Sequence, residues 1–210
     1  LPDVAHTLRV GRKAFAHRAC VVARSPAKAA EALRATDIAT GKTSAWVPQP
    51  VLMFPGQGSQ YAGMGRALYL TDAVFRAAFD DCMAAFEGVL PYDLREKMFS
   101  EDDTALTPTS VTQPATFALE YAIAKQILSI GLKPVALIGH SIGEFAAAVL
   151  AGVMSLRDAA RLVAQRGALM QAQAPGAMLS VRMSAEALMP RLGDEVSLAA
   201  ENGRTACVAA

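Results

Sequence analysis

The sequence predicts an α/β fold with a parallel sheet, and two observations support that prediction. Residues 51–54 and 135–138 are short apolar runs, which is typical of strands buried in a parallel sheet. Helical patterns lie between these runs and after them. Because strands that alternate with helices pack in layers, this order indicates helices packed against a sheet.

The first 48 residues are predicted to form a small α+β module of their own. Its expected elements are a short helix over residues 2–8, a strand over 15–23 and a helix over 26–35. Ser25 caps the second helix and Pro26 begins it. A polar stretch and the spacer Pro48-Gln49-Pro50 follow, so we place a domain boundary near residue 48.

Residues 49–175 are predicted to form the first part of a large α/β subdomain. Its first strand leads into a polar, Gly-rich loop at residues 55–60. Loops at the carboxyl ends of such strands are where open α/β sheets bind ligands. The other expected elements are helices over residues 72–86, 94–100 and 109–130, an acidic loop at 101–103, the strand 135–138, and helices over 145–151 and 156–173.

Residues 176–210 are predicted to begin a smaller subdomain. The expected elements are strands over residues 178–183, 197–200 and 206–210, with a helix over 185–191. Strand, helix and strand in this order form a βαβ-type unit. We expect this subdomain to be incomplete at residue 210.

The second apolar run leads directly into Gly139-His140-Ser141-Ile142-Gly143. Gly-x-Ser-x-Gly between a strand and a helix is a nucleophile elbow, in which the glycines allow a turn tight enough to expose the serine. Ser141 is therefore the predicted nucleophile. The dipole of the following helix and the amide of Ile142 are placed to stabilise an oxyanion. The alternative is a Gly-rich turn with an incidental serine.

Two further side chains are candidates for the same cleft. Gln57 lies in the loop after the first strand. Arg166 lies among small residues at helical spacing, on a face suited to close packing. Because arginines usually stay in water, an arginine near a packed edge suggests an anionic partner.

Composition and charge limit the class of protein. Cys20, Cys82 and Cys207 are widely separated, which indicates reduced, buried thiols. No apolar run reaches the roughly 18 residues of a membrane span and no signal sequence begins the chain, so we expect a soluble, cytoplasmic protein with no membrane partner.

Residues 1–50 carry eight basic against three acidic side chains. This basic face either steers an acidic partner or is merely solvated, and it lacks the interleaved aromatics of nucleic-acid binders.

Four motifs, in order, resemble those of malonyl-CoA:acyl carrier protein transacylases: Phe54-Pro55-Gly56-Gln57-Gly58-Ser59-Gln60, Thr112-Gln113-Pro114-Ala115, Gly139-His140-Ser141-Ile142-Gly143-Glu144 and Gln165-Arg166-Gly167. The segments around Val4, Gly11 and His17 resemble the linker that precedes the acyltransferase domain in modular type I polyketide synthases. The resemblance implies a hydrolase-like parallel sheet and a small ferredoxin-like subdomain.

The resemblance also implies an enzymatic activity. Ser141 would take an acyl group from malonyl-CoA and pass it to the phosphopantetheine thiol of an acyl carrier protein, in polyketide biosynthesis. The expected partners are malonyl-CoA, the carrier protein and a neighbouring ketosynthase domain. The acyl-CoA and the phosphopantetheine arm are substrates, and we expect no bound cofactor or metal.

The family's site residues transfer onto matching positions of this sequence. Gln57 and Ile142 would supply the oxyanion-hole amides. Arg166 would bind the free carboxylate of the extender unit, because a guanidinium can make two parallel hydrogen bonds to a carboxylate. Gln113 and His140 would line or support the substrate site.

The family's general base is a histidine well downstream of the nucleophile. The histidines of this sequence are His6, His17 and His140. We therefore expect a fragment truncated before that base, with completion by another chain as the alternative. On this expectation, residues 1–210 alone would give little or no transfer to a carrier protein, because serine needs a positioned base.

The extender unit and the reaction class each have alternatives. Ile142 resembles the malonyl class, since methylmalonyl domains carry Gln at that position, and residues 109–114 lack the Arg-Val-Asp-Val-Val-Gln signature of methylmalonyl domains. An α/β-hydrolase or thioesterase would use the same elbow but deliver the acyl group to water. A non-catalytic fragment that docks carrier proteins is the remaining alternative. The hydrolase alternative gives no reason for the Gly-rich loop or for Arg166.

Overall fold

The computed structural model describes residues 1–35, 38–43, 49–102 and 104–210. Part of the predicted polar stretch, the boundary residue Pro48 and Asp103 of the acidic loop lie outside the described residues. The chain divides into two compact units, Leu1–Gln49 and Pro50–Ala210.

The first unit contains two helices and an antiparallel strand pair. Ser25 caps the second helix as predicted, because its side chain accepts a hydrogen bond from the Lys28 amide. The first strand is shorter than expected, and its partner lies in the stretch that the sequence suggested was only a polar connection. Cys20, at the end of this strand, is exposed rather than buried as predicted, because every residue of the strand is exposed. The elements are α1 (Pro2–Val10), β1 (His17–Cys20), α2 (Pro26–Arg34) and β2 (Ala39–Lys42).

The second unit begins with the predicted α/β subdomain. Its two strands pair in parallel, with Phe54 opposite Gly139, which confirms the parallel sheet. The elements are β3 (Val51–Phe54), α3 (Arg66–Thr71), α4 (Ala73–Phe86), α5 (Leu94–Phe99), α6 (Thr109–Ser129), β4 (Ala136–Gly139), α7 (Gly143–Leu150) and α8 (Leu156–Gln171). Helix α3 was not predicted.

The core of this subdomain surrounds α6. Every residue from 111 to 118 is buried, and α4 and α8 both pack against the helix. A helix that is buried on most sides shows no single solvent-facing polar side, and polar side chains of α6 such as Gln113 and Glu120 are buried with the apolar ones. The largest fully buried apolar side chains include Phe75, Phe79, Met98, Leu106, Phe117 and Val163.

The remaining residues form a small three-stranded sheet with its own apolar cluster. Its elements are β5 (Leu179–Val181), α9 (Ala185–Leu188), a short 3-10 turn (Met189–Arg191), β6 (Leu198–Gly203) and β7 (Ala206–Ala209). The strand order is β5-β7-β6, and β7 is antiparallel to both neighbours. β5 and β6 therefore run parallel on either side of β7, which is the split βαβ arrangement of ferredoxin-like folds.

Among the described residues, no helix has the length and apolar character needed to cross a membrane.

Candidate active site

The turn between β4 and α7 has the geometry of a nucleophile elbow. Ser141 adopts φ +55°, and it is the one non-glycine residue with positive φ among those the structure describes. Such a conformation costs about 1 kcal/mol or more, so the surrounding structure must hold it. The pairing of β3 with β4 continues into this turn, since the His140 amide donates to the Phe54 carbonyl oxygen at 2.9 Å.

Two glycines make this turn possible through close backbone approach. A Cβ on Gly139 would lie 2.2 Å from the amide nitrogen of Glu144. A Cβ on Gly143 would lie 2.4 Å from the carbonyl oxygen of Phe54. Because backbone atoms cannot move aside, both positions require glycine while the turn keeps this shape. Helix α7 thereby begins directly behind Ser141, against the carboxyl end of β3.

The guanidinium of Arg166 contacts Ser141, the predicted nucleophile. Its Nη2 donates to Ser141 Oγ at 3.0 Å, and its Nη1 donates to Gln113 Oε1 at 2.7 Å. Arg166 is half-buried and Gln113 is only 1% exposed. The structure therefore brings together three of the residues predicted for the site, from the elbow, from α8 and from α6.

Arg166 reaches Ser141 because α8 packs closely against the start of α6. A Cβ on Gly167 would lie 3.2 Å from Ser110 Cα and 3.3 Å from the Thr109 carbonyl oxygen. The predicted small-residue face of α8 is buried at Ala159, Ala160, Val163, Ala164 and Gly167. Small side chains allow two helix backbones to approach, so this face sets how far Arg166 reaches over the elbow.

The Gly-rich loop after β3 borders the same site. The Gln57 side chain donates from Nε2 to Thr109 Oγ1 at 3.2 Å, which ties the loop to the first turn of α6. Gly56 passes His140 so closely that a Cβ there would lie 2.7 Å from the ring Nδ1. Within the described part of the chain, the backbone amides of Gln57 and Ile142 donate no hydrogen bond. Both amides are therefore free for the predicted oxyanion-hole role, which stays a prediction.

His140 is not positioned as a base. Among the described residues, its ring makes no hydrogen bond with Ser141, whose Oγ contacts Arg166 instead. His140 is exposed, and its ring lies beside Gly56 of the loop. This position suits a supporting role better than proton transfer from Ser141.

The sequence did not single out Thr109 or Met170, although both contact site residues. Thr109 binds Gln57, and Met170 Sδ accepts a hydrogen bond from Gln113 Nε2 at 3.1 Å. A signal existed for Met170, because it lies one helical turn after Arg166 and shares its face of α8.

Comparison with known proteins agrees with this geometry. Residues 51–210 match the family model described as the acyl transferase domain. The chain belongs to the acyl transferase domain family. Residues 1–41 of this acyltransferase match the model described as the RhiE-like, KS-MAT linker domain. The predicted family and fold class are therefore confirmed.

Similar proteins include polyketide synthases and a transacylase. The domain is 40% identical, over 95% of the chain, to the phenolphthiocerol synthesis type I polyketide synthase Pks15/1 of Mycobacterium marinum, of which it covers 10%. It is 43% identical to the acyltransferase domain from the second module of the salinomycin polyketide synthase, with a TM-score of 0.85 over 100% of this chain and 51% of that one. It is 30% identical to the malonyl-CoA:ACP transacylase of Synechocystis sp. PCC 6803, with a TM-score of 0.67 over 77% of this chain and 54% of that one.

The chain spans about half the length of these solved relatives and about a tenth of that curated one.

Proposed function

We propose that this acyltransferase domain transfers a malonyl extender unit from coenzyme A to an acyl carrier protein through an ester on Ser141. One observation carries the proposal. Arg166 presents its guanidinium at hydrogen-bond distance from Ser141 Oγ, while Gln113 holds the other side of the same group. A fixed cation beside a nucleophilic serine suits an acyl group that carries a second, free carboxylate.

The reaction consists of two acyl transfers. In the first, Ser141 Oγ attacks the thioester carbonyl carbon, its proton passes to a base, and the tetrahedral intermediate expels the coenzyme A thiol. In the second, the phosphopantetheine thiol attacks the ester on Ser141, and Ser141 Oγ leaves with a proton. The resemblance assigns the base to a downstream histidine. Each intermediate carries an oxyanion, which the amides of Gln57 and Ile142 would stabilise.

In this reaction Arg166 contacts Ser141 before substrate binds and would bind the free carboxylate of the substrate afterwards. Before substrate binds, Arg166 Nη2 donates a hydrogen bond to Ser141 Oγ. When a carboxylate binds, the guanidinium must therefore turn from Ser141 toward the substrate. The contact between Gln113 Oε1 and Arg166 Nη1 would hold the other side of the guanidinium during this change. The carboxylate then lies a fixed distance from the reacting carbonyl, which favours short diacid thioesters such as malonyl.

The choice of malonyl over methylmalonyl is the finer part of the proposal. Ile142 follows the nucleophile, but its side chain is fully buried in the core. Its influence on a substituent at the malonyl C2 therefore acts through the position of the elbow backbone rather than by contact. The match of residues 1–41 to a KS-MAT linker supports a ketosynthase domain and a carrier protein as partners.

The test uses the full polypeptide that carries these residues, incubated with labelled malonyl-CoA and digested for mass spectrometry. We expect a malonyl adduct on the peptide that contains Ser141, transfer of the label to carrier protein, and less adduct from methylmalonyl-CoA. Ser141→Ala is the control and should give no adduct while remaining folded. An adduct of undiminished yield in the alanine variant would place the nucleophile elsewhere, and release of free malonate without transfer would favour a hydrolase.

A further inference from the structure

Gln113 is buried between two partners with different hydrogen-bonding capacity. Its Oε1 accepts from Arg166 Nη1 at 2.7 Å and its Nε2 donates to Met170 Sδ at 3.1 Å. A guanidinium can only donate and a thioether sulfur can only accept. The two neighbours therefore fix which way the Gln113 amide faces, and reversing it would set donor against donor beside Arg166.

We infer that Met170 is a positioning residue that orients Arg166 through Gln113. Gln113 is 1% exposed, and the half-exposed side chain of Met170 covers its Nε2, so an apolar residue of similar volume at position 170 would keep water away from Nε2 without offering an acceptor. Among the described residues, Met170 Sδ is the acceptor that this amide nitrogen uses. Without the sulfur, the amide would rotate to find another acceptor, and Oε1 would leave Arg166 Nη1.

The spacing of Arg166 and Met170 along α8 places both side chains beside Gln113. Met170 follows Arg166 by four residues, so both side chains lie on the same face of the helix. Gln113 reaches this face from the buried first part of α6, where Gly167 allows the two backbones to approach. Arg166 and Met170 thus hold the two ends of one amide, and the guanidinium meets Ser141 Oγ on its far side.

The effect on substrate choice rests on the proposed function, whereas the orientation of Arg166 does not. A displaced guanidinium should weaken the binding of malonyl groups, which carry a free carboxylate, and leave acetyl groups nearly unaffected. An acceptor lost from a neutral amide changes an equilibrium by about three- to tenfold. We expect malonyl selectivity over acetyl to fall by that factor.

Two variants separate hydrogen bonding from packing. Met170→Leu preserves an apolar side chain of similar volume but removes the acceptor. Met170→Gln is more polar but supplies an acceptor oxygen within the reach of a methionine side chain. If Met170 only fills space, leucine should be the better replacement. If it positions Gln113, glutamine should be better.

The first measurement needs no catalysis. The full polypeptide and both variants are treated with phenylglyoxal, which modifies arginines, and the rate at Arg166 is followed by peptide mass spectrometry, with the exposed Arg161 of the same helix as internal standard. We expect faster modification of Arg166 in Met170→Leu and a wild-type rate in Met170→Gln. Equal rates in all three proteins, or a faster rate in the glutamine variant than in the leucine variant, would overturn the inference.

The second measurement compares single-turnover acylation of Ser141 by malonyl-CoA and acetyl-CoA. Met170→Leu should lose selectivity through a higher KM for malonyl-CoA, and Met170→Gln should restore it. A selectivity unchanged in Met170→Leu would overturn the inference. If wild-type protein forms no malonyl adduct while the Arg166 modification pattern holds, the proposed function fails and the positioning role stands.

Discussion

The hydroxyl of Tyr92 donates a 2.6 Å hydrogen bond to the backbone carbonyl oxygen of Ser110, in the first turn of α6. In an uninterrupted helix this oxygen would accept from the amide four residues later, but that residue is Pro114, which has no N–H. Tyr92 thus supplies the donor that the proline cannot. The turn that it completes contains Thr109 and precedes Gln113, so the contact supports two groups of the candidate site.

Tyr92→Phe should loosen the start of α6 without disturbing the rest of the core. The ring is retained, but the Ser110 carbonyl oxygen loses its partner, at a cost of about 1 kcal/mol. Hydrogen exchange of the amides in the first turn of α6 should therefore be about fivefold faster, measured by mass spectrometry on peptides that cover residues 109–117.

Tyr61→Phe is the control, since Tyr61 is 64% exposed and its hydroxyl makes no hydrogen bond to any described residue. Exchange at the end of α6 should be unchanged in both variants. If Tyr92→Phe left the first turn as protected as in the wild type, the hydroxyl would have no part in holding it.

Arg166→Ala should reduce malonyl transfer far more than acetyl transfer. Removing the guanidinium leaves the malonyl carboxylate in the site without its cationic partner, at a cost of about 2–5 kcal/mol for a desolvated pair. Because Arg166 is half-buried, we expect the lower end of that range, or about a 30-fold lower kcat/KM for malonyl-CoA. Single-turnover acylation of Ser141 by the two acyl-CoA substrates measures the difference.

Arg161→Ala is the matched control for Arg166→Ala, because Arg161 lies on the exposed side of the same helix. Arg161→Ala should leave the rates of acylation by malonyl-CoA and by acetyl-CoA unchanged. An equal loss of malonyl and acetyl transfer in Arg166→Ala would show that the arginine supports the elbow through Ser141 Oγ and does not bind the substrate carboxylate.

Local sequence patterns predicted much of the fold and the tight turn at Ser141. The Gly-x-Ser-x-Gly spacing between a strand and a helix indicated the elbow, and the structure gives Ser141 the positive φ that such a turn needs. The small-residue face of α8 was equally visible, since it depends on the period of one helix. Both features depend on residues that are close in sequence.

Features that depend on distant residues could not be predicted in the same way. β7 lies between β5 and β6, although it follows both in the chain, because strand order is set by pairing rather than by sequence. The contact of Arg166 with Ser141 joins two elements, and only the family resemblance put these residues in one site. Nothing in the pattern of α6 distinguished Glu120 from a solvated glutamate.

Glu120 is a buried carboxyl group in the middle of α6. It is 8% exposed, and within the described residues neither of its oxygens has a hydrogen-bond partner. It borders a cavity of about 190 Å³ whose lining is mostly apolar, with Leu52, Phe54, Leu119 and Ile123 among the neighbours. Burial without a partner disfavours the charged form and raises the pKa of Glu120 to about 8.

This raised pKa should make the stability of the domain depend on pH. Between about pH 4.5, the ordinary value, and pH 8, the unfolded chain has lost the Glu120 proton while the folded chain keeps it. The folded state then binds more protons, so stability falls as pH rises through this window, by up to about 1.4 kcal/mol per pH unit. The stabilising contribution of the protonated group is complete below pH 4.5 and lost above pH 8.

Glu120→Gln should remove this dependence, because glutamine is neutral at every pH in the window and has nearly the same shape. We expect the difference in Tm between Glu120→Gln and the wild type to grow in favour of the variant from pH 5 to pH 8, measured by calorimetry on the full polypeptide. Glu96→Gln, a change at an exposed glutamate of α5, should give a difference that does not vary over this range. A constant difference for Glu120→Gln would mean that Glu120 is ionised in the folded protein at pH 5 and has a partner there.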